Sequence, residues 1–157
     1  MQKIVPFLWF DDKAEEAMNF YVSVFKNSRV VRVSRYGDAG PGAKGTVMSA
    51  TFQIEGQDFF ALNGGPLFSF TPAISFFVNC ETQQEVDELW EKLSEGGKKE
   101  RCGWLKDRYG VSWQIIPTVL GKLLGDKDPG KAKSVMTAML QMEKLDIQKL
   151  QEAHERG

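Results

Sequence analysis

Cys102 is the side chain in this 157-residue sequence with the most obvious nucleophilic chemistry. It has basic neighbours at Lys99, Arg101 and Lys106, and nearby cations favour the reactive thiolate. The single histidine, His154, lies in the C-terminal segment and is not expected to reach it as a base. A structural or incidental thiol is therefore the favoured interpretation, and the second cysteine, Cys80, is less suited to catalysis still.

Two further polar groups allow a functional and a structural interpretation. Lys106 and Asp107 could act as an acid–base pair, but Lys-Asp-Arg-Tyr-Gly also favours a turn in which the aspartate bonds its own backbone. Asn63 precedes Gly64-Gly65, so its amide could point into a pocket or could serve a crossover between two parts of the fold. The sequence favours the turn for Asp107 and leaves both alternatives open for Asn63.

Aromatic side chains interleaved with isolated polar groups are the most informative chemical feature. Ser75 and Phe77 share one face of a predicted strand, and Ser112 and Gln114 share one face of another. Apolar walls with a few orienting polar groups are typical of small-molecule pockets. The alternative is a filled core in which Ser75 and Gln114 bond each other. The predicted ligand-binding residues are Trp9, Asn63, Ser75, Phe77, Trp104, Trp113 and Gln114.

A repeated pattern of elements must position these residues. Residues 4–10 are predicted to form a strand, Asp12 with Glu15 to cap a helix, and residues 29–36, 46–54 and 58–63 to form three strands. The same order restarts with a strand at 73–79, a capping box at Thr82–Glu85, and strands around 99–104 and 111–116. Aligning Phe20-Tyr21 with Leu89-Trp90 superposes the two first strands without a gap, so that Pro6 matches Ser75.

The sequence thus predicts an α+β fold built from a duplicated strand–helix–strands unit. We expect one domain over 1–157, with module one at about 1–66, module two at about 73–117 and a helical tail at 118–157. In the tail, residues 118–124 and 131–151 are predicted to be helical, and Asp146 could cap a separate final run. A methionine stripe, Met136, Met139 and Met142, is expected to pack on the domain or on a second copy of the chain.

The composition excludes several classes of partner. A net charge of −1 gives no electrostatic reason to expect nucleic acid or an anionic membrane. The apolar runs are too short to span a bilayer, and the first one is interrupted by Pro6, which favours a strand over a signal peptide. Two cysteines without a disulfide pattern indicate a reducing compartment, so a cytoplasmic protein is expected.

Several segments resemble one family in order along the chain. They are Pro-Phe-Leu-Trp-Phe (6–10), Ala-Leu-Asn-Gly-Gly-Pro (61–66), Cys-Gly-Trp-Leu-Lys-Asp (102–107), Tyr-Gly-Val-Ser-Trp-Gln-Ile-Ile-Pro (109–117) and Ala-Met-Leu-Gln-Met-Glu-Lys-Leu-Asp-Ile (138–147). They are similar to the PhnB-like branch of the vicinal-oxygen-chelate superfamily, whose members include glyoxalase I, bleomycin-resistance proteins and extradiol dioxygenases. Members of this branch are often labelled demethylubiquinone methyltransferases. The resemblance implies two βαβββ modules that form an incomplete barrel-like cup, usually in a homodimer.

The resemblance also implies where a divalent metal would bind. The family's ligand positions fall on Pro6, on Ser75, on Gln114 and near residues 60–62. Of the first three, only Gln114 has a suitable side-chain oxygen, and one neutral amide does not hold a divalent ion. We therefore predict no metal at the usual place and no cofactor.

The resulting functional hypothesis is a metal-free homodimer that binds a small, partly apolar molecule. The alternatives are a lyase, isomerase or dioxygenase with an atypical metal site or none, and a structural or regulatory dimer with a filled core. Methyl transfer is not supported, because the glycine-rich Gly37–Gly42 lies between antiparallel strands rather than before a helix. The sequence identifies neither the ligand nor a catalysed reaction.

Overall fold

A computed structural model, which describes residues 2–157, shows an α+β fold, as predicted. The first part contains β1 (Phe7–Phe10), α1 (Ala14–Val24), β2 (Arg29–Arg35), β3 (Val47–Ile54) and β4 (Gln57–Asn63). The second contains β5 (Ser75–Cys80), α2 (Gln83–Ser94), β6 (Lys98–Lys99), β7 (Trp104–Lys106) and β8 (Ser112–Pro117). The tail contains α3 (Val119–Leu124), α4 (Pro129–Leu140) and α5 (Ile147–Arg156). No helix of the described residues is long and apolar enough to cross a membrane.

The duplication is confirmed by the topology of two separate sheets. The chain divides into two compact units, Met1–Ser69 and Phe70–Gly157, and the helical tail belongs to the second. The strand orders are β1-β4-β3-β2 and β5-β8-β7-β6. In each sheet the first strand pairs in parallel with the last, and the remaining pairs are antiparallel. Both units are therefore βαβββ modules. Their assignment to one domain over 1–157 stays a prediction.

In the first unit, helix α1 packs on one face of its sheet through small and aromatic side chains. Ala17 and Tyr21 are fully buried, and the Tyr21 ring stacks on Phe52 with centroids 6.4 Å apart. The predicted Asp12 cap is wrong, because the helix begins after Lys13 and has no side-chain cap from that residue. The distant Asn63 side chain bonds the first turn instead, as described below.

In the second unit, helix α2 shows the pattern that the sequence predicts. The Thr82 hydroxyl accepts a hydrogen bond from the Glu85 amide at 3.1 Å, which confirms the capping box. The helix buries Val86, Leu89, Trp90 and Leu93 on one face. At its end the chain passes so close to β7 that a Cβ on Gly97 would lie 2.1 Å from the Lys106 carbonyl oxygen, which requires glycine there.

Two predicted elements differ from the structure. The strand predicted at 99–104 is wrong, because the chain turns between β6 and β7 through Cys102 and Gly103, both with positive φ. The helix predicted at 131–151 is two helices, α4 and α5, and Asp146 caps the second by accepting from the Lys149 amide at 3.0 Å. The tail has its own apolar cluster, formed by Ile116, Leu120, Val135, Leu145 and Leu150, with Met139 and Met142 packed against it.

Candidate functional site

The second sheet has one face packed on α2 and one open face. Side chains alternate between the two faces along each strand. The pairing register places Phe77 opposite Gln114 and Gln114 opposite Trp104, so these three share one row. The adjacent row contains Ser75, Ser112 and Lys106. We call this side, with both rows, the second open face.

Four of the predicted site residues lie together on the second open face: Ser75, Phe77, Trp104 and Gln114. The Gln114 amide nitrogen donates to the Ser75 hydroxyl oxygen at 2.9 Å. This is the bond that the filled-core alternative requires, but Phe77 is 54% exposed, so the face is not closed over that ring. The face thus combines an oriented amide with an accessible aromatic ring.

Ser112 contributes a buried hydroxyl that the prediction did not use. It is 1% exposed, and its oxygen has no hydrogen-bond partner among the described residues. A buried hydroxyl without a partner is unfavourable, at a cost of about 1–3 kcal/mol. The available sequence signal was alternation along β8, which places Ser112 on the same face as Gln114; the structure shows that Ser112 is also paired with Ser75.

Trp113 lies on the opposite face and is only 3% exposed. Its indole nitrogen donates to Asp107 Oδ2 at 2.9 Å, while Asp107 Oδ1 accepts from the backbone amides of Tyr109 and Val111 at 2.9 and 3.0 Å. The turn interpretation of Asp107 is therefore confirmed. Trp113 is part of the packed helix side, because neighbours on a strand face opposite ways, so it does not join the other four predicted residues.

The two predicted residues of the first unit, Trp9 and Asn63, make structural contacts. The Asn63 side chain accepts from the Ala14 amide at 2.8 Å and donates to the Val47 carbonyl at 3.0 Å. The Trp9 indole nitrogen donates to the Gly65 carbonyl at 2.9 Å, and a Cβ on Gly64 would lie 2.3 Å from the ring. Asn63 thus ties the end of β4 to α1 and β3, and Trp9 ties β1 to the segment after β4, all within their own unit.

The first sheet carries a cavity that the sequence interpretation missed. It has a volume of about 220 Å³ and lies on the face away from α1, which we call the first open face. One row across this face is Phe7, Phe60, Thr51 and Arg32, and the next contains Ser49 and Ser34. The period-two spacing of Arg32 with Ser34 and of Ser49 with Thr51 was the available signal.

The register also corrects the equivalence of Pro6 with Ser75. Phe7 and Phe77 are the exposed first-strand rings on the two open faces, at 57% and 54%. Ser75 lies two residues before Phe77 and shares its face, whereas Pro6 is adjacent to Phe7 and faces the other way. The counterpart of Ser75 is therefore Val5. The gap-free alignment fits the helix starts but is displaced by one residue on the strands.

The corrected positions offer few ligands for a metal. Val5 and Phe60 in the first unit have no donor, and Ser75 and Gln114 in the second are already bonded to each other. Within residues 2–157, no group of three or more histidine, cysteine, aspartate or glutamate side chains is arranged to hold a metal ion. These residues do not fit the four-ligand ion of the superfamily's metal enzymes.

The remaining reactive groups are engaged elsewhere. Cys80 is fully buried, and burial raises the pKa of its thiol to about 12, so it is not a nucleophile near neutral pH. The Cys102 thiol donates to the Met139 carbonyl at 3.6 Å, in the contact between the β6–β7 turn and the tail. His154 pairs with Asp126 at 2.7 Å, far along the chain from the strands.

Comparisons with known proteins agree with this architecture. The model of the family described as 3-demethylubiquinone-9 3-methyltransferase matches residues 2–116. A PhnB protein from Bacillus cereus with the same description is 46% identical, with a TM-score of 0.71, over 74% of this chain and 100% of that one. A protein from Pseudomonas aeruginosa is 23% identical, with a TM-score of 0.63, over 74% of this chain and 98% of its own.

More distant structures share the fold alone. The fosfomycin resistance protein FosX from Listeria monocytogenes is 16% identical, with a TM-score of 0.59, over 80% of this chain and 98% of that one. No curated protein matches the chain significantly. The family match over most of the sequence and the Bacillus relative agree, and the chain belongs to the PhnB-like family described as 3-demethylubiquinone-9 3-methyltransferase.

Proposed function

We propose that this protein binds a small, partly apolar molecule on the second open face, without the superfamily's usual metal ion. The observation that carries the proposal is the exposed Phe77 ring beside the oriented Gln114 amide. An accessible aromatic surface next to a fixed polar group is the common construction of a small-molecule site. Trp104, across the sheet from Gln114, adds a second aromatic wall.

The polar groups of the second open face have capacity for a ligand. Gln114 uses one amide proton on Ser75, and its carbonyl oxygen has no bond to a described residue. The Ser75 hydroxyl accepts that bond and keeps its own proton to donate. A ligand with one donor and one acceptor would therefore find complementary groups next to Phe77.

Methyl transfer is not part of the proposal, although the family description names it. In each unit the connection from the first strand to its helix contains no glycine, and adenosylmethionine folds use a glycine-rich loop at that point. The glycine-rich segment 37–45 joins the antiparallel strands β2 and β3 instead. No described cluster favours a lyase, isomerase or dioxygenase, so binding is proposed ahead of those reactions.

We further propose that the protein is a homodimer in the cytoplasm. Apolar side chains remain exposed on the strands and connections of both units, namely Ile4, Val30, Val31, Met48, Leu67, Phe68 and Ile74. A second copy of the chain would cover such residues. Light scattering coupled to size-exclusion chromatography should give twice the 17.7 kDa mass of one chain, and a single-chain mass would contradict the dimer.

The binding proposal is tested by a thermal-shift screen of small aromatic and carbonyl compounds. Binding to the native state raises its melting temperature, so an open site should yield stabilising compounds. Phe77→Ala and Gln114→Ala should abolish the shift for a compound that binds here. Gln148→Ala, an exposed change on α5, is the matched control and should leave the shift intact.

Two results would contradict the proposal. Silence across a broad screen would favour a structural or regulatory dimer. One divalent ion per chain after native purification, measured by mass spectrometry, would contradict the metal-free site.

A further inference from the structure

We infer that the cavity on the first open face is a site for a small organic oxyanion, a carboxylate or phosphonate attached to a flat apolar group. This inference rests on the proposed function, because it concerns the same small-molecule-binding role and names the chemical class of ligand that the first unit's own cavity would take. The residues that carry it are Phe7, Arg32, Ser34, Ser49, Thr51 and Phe60. None of them belongs to the set predicted from sequence.

Strand β2 carries three arginines, and two of them are engaged. Arg29 donates to the Gln53 side chain at 3.1 Å, and Arg35 forms an ion pair with Glu15. Arg32 lines the cavity and has no hydrogen bond or ion pair with any described residue. Its guanidinium is therefore available to a ligand, while the other two arginines are held by the protein.

An irregularity in the strand directs Arg32 to the open face. The register between β2 and β3 shifts between Val30 and Arg32, with Val31 as the extra residue. A bulge of this kind changes which side of the sheet the following residues face. Arg32 is consequently opposite Thr51, in the same row as Phe60 and Phe7.

Three hydroxyl side chains neighbour Arg32 on the first open face and line the same cavity. Thr51 is directly across from Arg32, and Ser49 is directly across from Ser34 in the next row. Opposed side chains in antiparallel strands have Cβ atoms about 4.5–5.5 Å apart, so all four groups can reach one bound anion. No side-chain hydrogen bond joins these three hydroxyls to any described residue, so each can donate to an oxyanion.

An aromatic wall bounds the other side of the cavity. The Phe7 and Phe60 rings meet edge to face with centroids 5.4 Å apart. The volume of about 220 Å³ exceeds the roughly 150 Å³ of an engineered protein cavity that binds benzene, so it can take a single ring and its anionic group. The apolar half and the polar half of the cavity lie at opposite ends of the same row.

The charge of the lining selects the ligand class. Arg32 is the one cationic side chain among the lining residues, and none of them is acidic. A guanidinium presents parallel donors that match two oxygens of a carboxylate or phosphonate. A neutral molecule of the same shape gains no such charge-assisted bond, and a cation is repelled.

The test is an NMR titration of the isotope-labelled full chain with phenylphosphonate, benzoate and the neutral benzamide. Either anion should shift backbone signals of β2 and β3, and Arg32→Gln should weaken its binding about tenfold or more. Arg29→Gln on the same strand is the matched control and should leave the affinity unchanged. Because Arg32 is exposed, its variant should keep a dispersed native spectrum. Tighter binding of phenylphosphonate or of benzoate would identify the preferred oxyanion.

Three results would overturn the inference: no signal shift in β2 and β3 with either anion, equal affinity of Arg32→Gln and the native chain, or benzamide binding as tightly as benzoate. If the anions fail but a screened compound perturbs Phe77 and Gln114, only this inference falls and the proposed function stands. If no compound binds at either face, both fall.

Discussion

The two units share one strand order, yet their open faces differ in shape and polarity. On the first, a cavity lies between two phenylalanine rings and a group of hydroxyls around Arg32. On the second, Gln114 is already bonded to Ser75 beside an exposed ring. The helix-packed faces differ far less, since both are filled with aliphatic and aromatic side chains. Core packing thus constrains the side chains of the helix-packed face in each unit, whereas the side chains of the open face can differ between the units.

The length of one edge strand, β2 in the first sheet and β6 in the second, explains part of the difference. Strand β2 has seven residues and carries both Arg32 and Ser34, whereas its counterpart β6 has only Lys98 and Lys99. The second sheet therefore has no strand segment on which a cavity of the same construction could form. The second unit has instead a helical tail with an apolar cluster of its own. Duplication of topology has not duplicated the site.

The largest expected effect on stability comes from the Asp107 carboxylate, which bonds the β7–β8 turn and Trp113 in the second sheet. Asp107→Ala removes a 2% exposed carboxylate that accepts at least three hydrogen bonds, two from its own turn and one from Trp113. The donors would lose their partner in a buried position, so we expect about 3 kcal/mol of destabilisation in urea unfolding. Asp38→Ala, which removes an exposed ion pair with Lys44, is the control and should change little. If Asp107→Ala lowered the free energy of unfolding by less than about 1 kcal/mol, the carboxylate would not be an important stabilising group of the second sheet.

The corresponding stabilising group of the first unit is the side-chain amide of Asn63 rather than a carboxylate. Asn63→Ala removes the bond to the first turn of α1 and the bond to Val47. Two neutral bonds at a half-buried position are weaker than three to a charge, so about 2 kcal/mol is expected in the same unfolding experiment. Asn63→Asp keeps the acceptor for the Ala14 amide but loses the donor, and should lie between the native chain and the alanine variant. If Asn63→Ala were more destabilising than Asp107→Ala, the expectation that the buried carboxylate contributes more stability than the amide would be wrong.

The topology was accessible from sequence because its signals are local and periodic. The Thr82 capping box and the buried stripe of α2 predicted that helix, and the restart of the pattern predicted the duplication. The failures have equally local causes. Between β6 and β7 the chain needs positive φ at Cys102, which a cysteine does not signal. Asp12 looked like a cap, but the long-range Asn63 supplies that bond, and no periodicity reveals a contact between residues so far apart.

The candidate site was predicted only in part, for reasons that concern strand faces. Ser75, Phe77 and Gln114 were placed together because their spacing of two is visible in the sequence. Trp113 was included although it lies between Ser112 and Gln114 on the strand and therefore faces the helix side. The spacing of two between Arg32 and Ser34 indicates that they share a face but not which face. Arg32 was missed because a bulge at Val31 decides that, and the bulge has no clear sequence signature here.

A buried hydroxyl without a partner allows a test of the second open face itself. Ser112→Ala should stabilise the free protein by about 1 kcal/mol, because it removes an unpaired hydroxyl at a 1% exposed position. Ser34→Ala, on the first open face, is the matched control, and its half-buried hydroxyl should contribute close to zero. Thermal or urea unfolding measures both. Destabilisation by Ser112→Ala would mean that the hydroxyl has a hydrogen-bond partner in solution.

The smallest expected effect belongs to the tail, which only the second unit carries. His154 bonds Asp126 at 2.7 Å, and the bonds from the Asp128 backbone and from His154 lower the pKa of the Asp126 carboxyl. Because the folded-state pKa is depressed, this contribution is fully present above the unfolded pKa of about 4 and is lost as the pH falls through the lower folded value. Asp126→Asn should therefore flatten the acid side of the stability curve slightly, measured by urea unfolding between pH 6 and pH 3. Asp146→Asn keeps a capping acceptor for α5 and serves as the control. If the free energy of unfolding of the variant ran parallel to that of the native chain between pH 6 and pH 3, the His154–Asp126 pair would not contribute to the pH dependence of stability. The tail would then add helices to the second unit without adding sensitivity to acid.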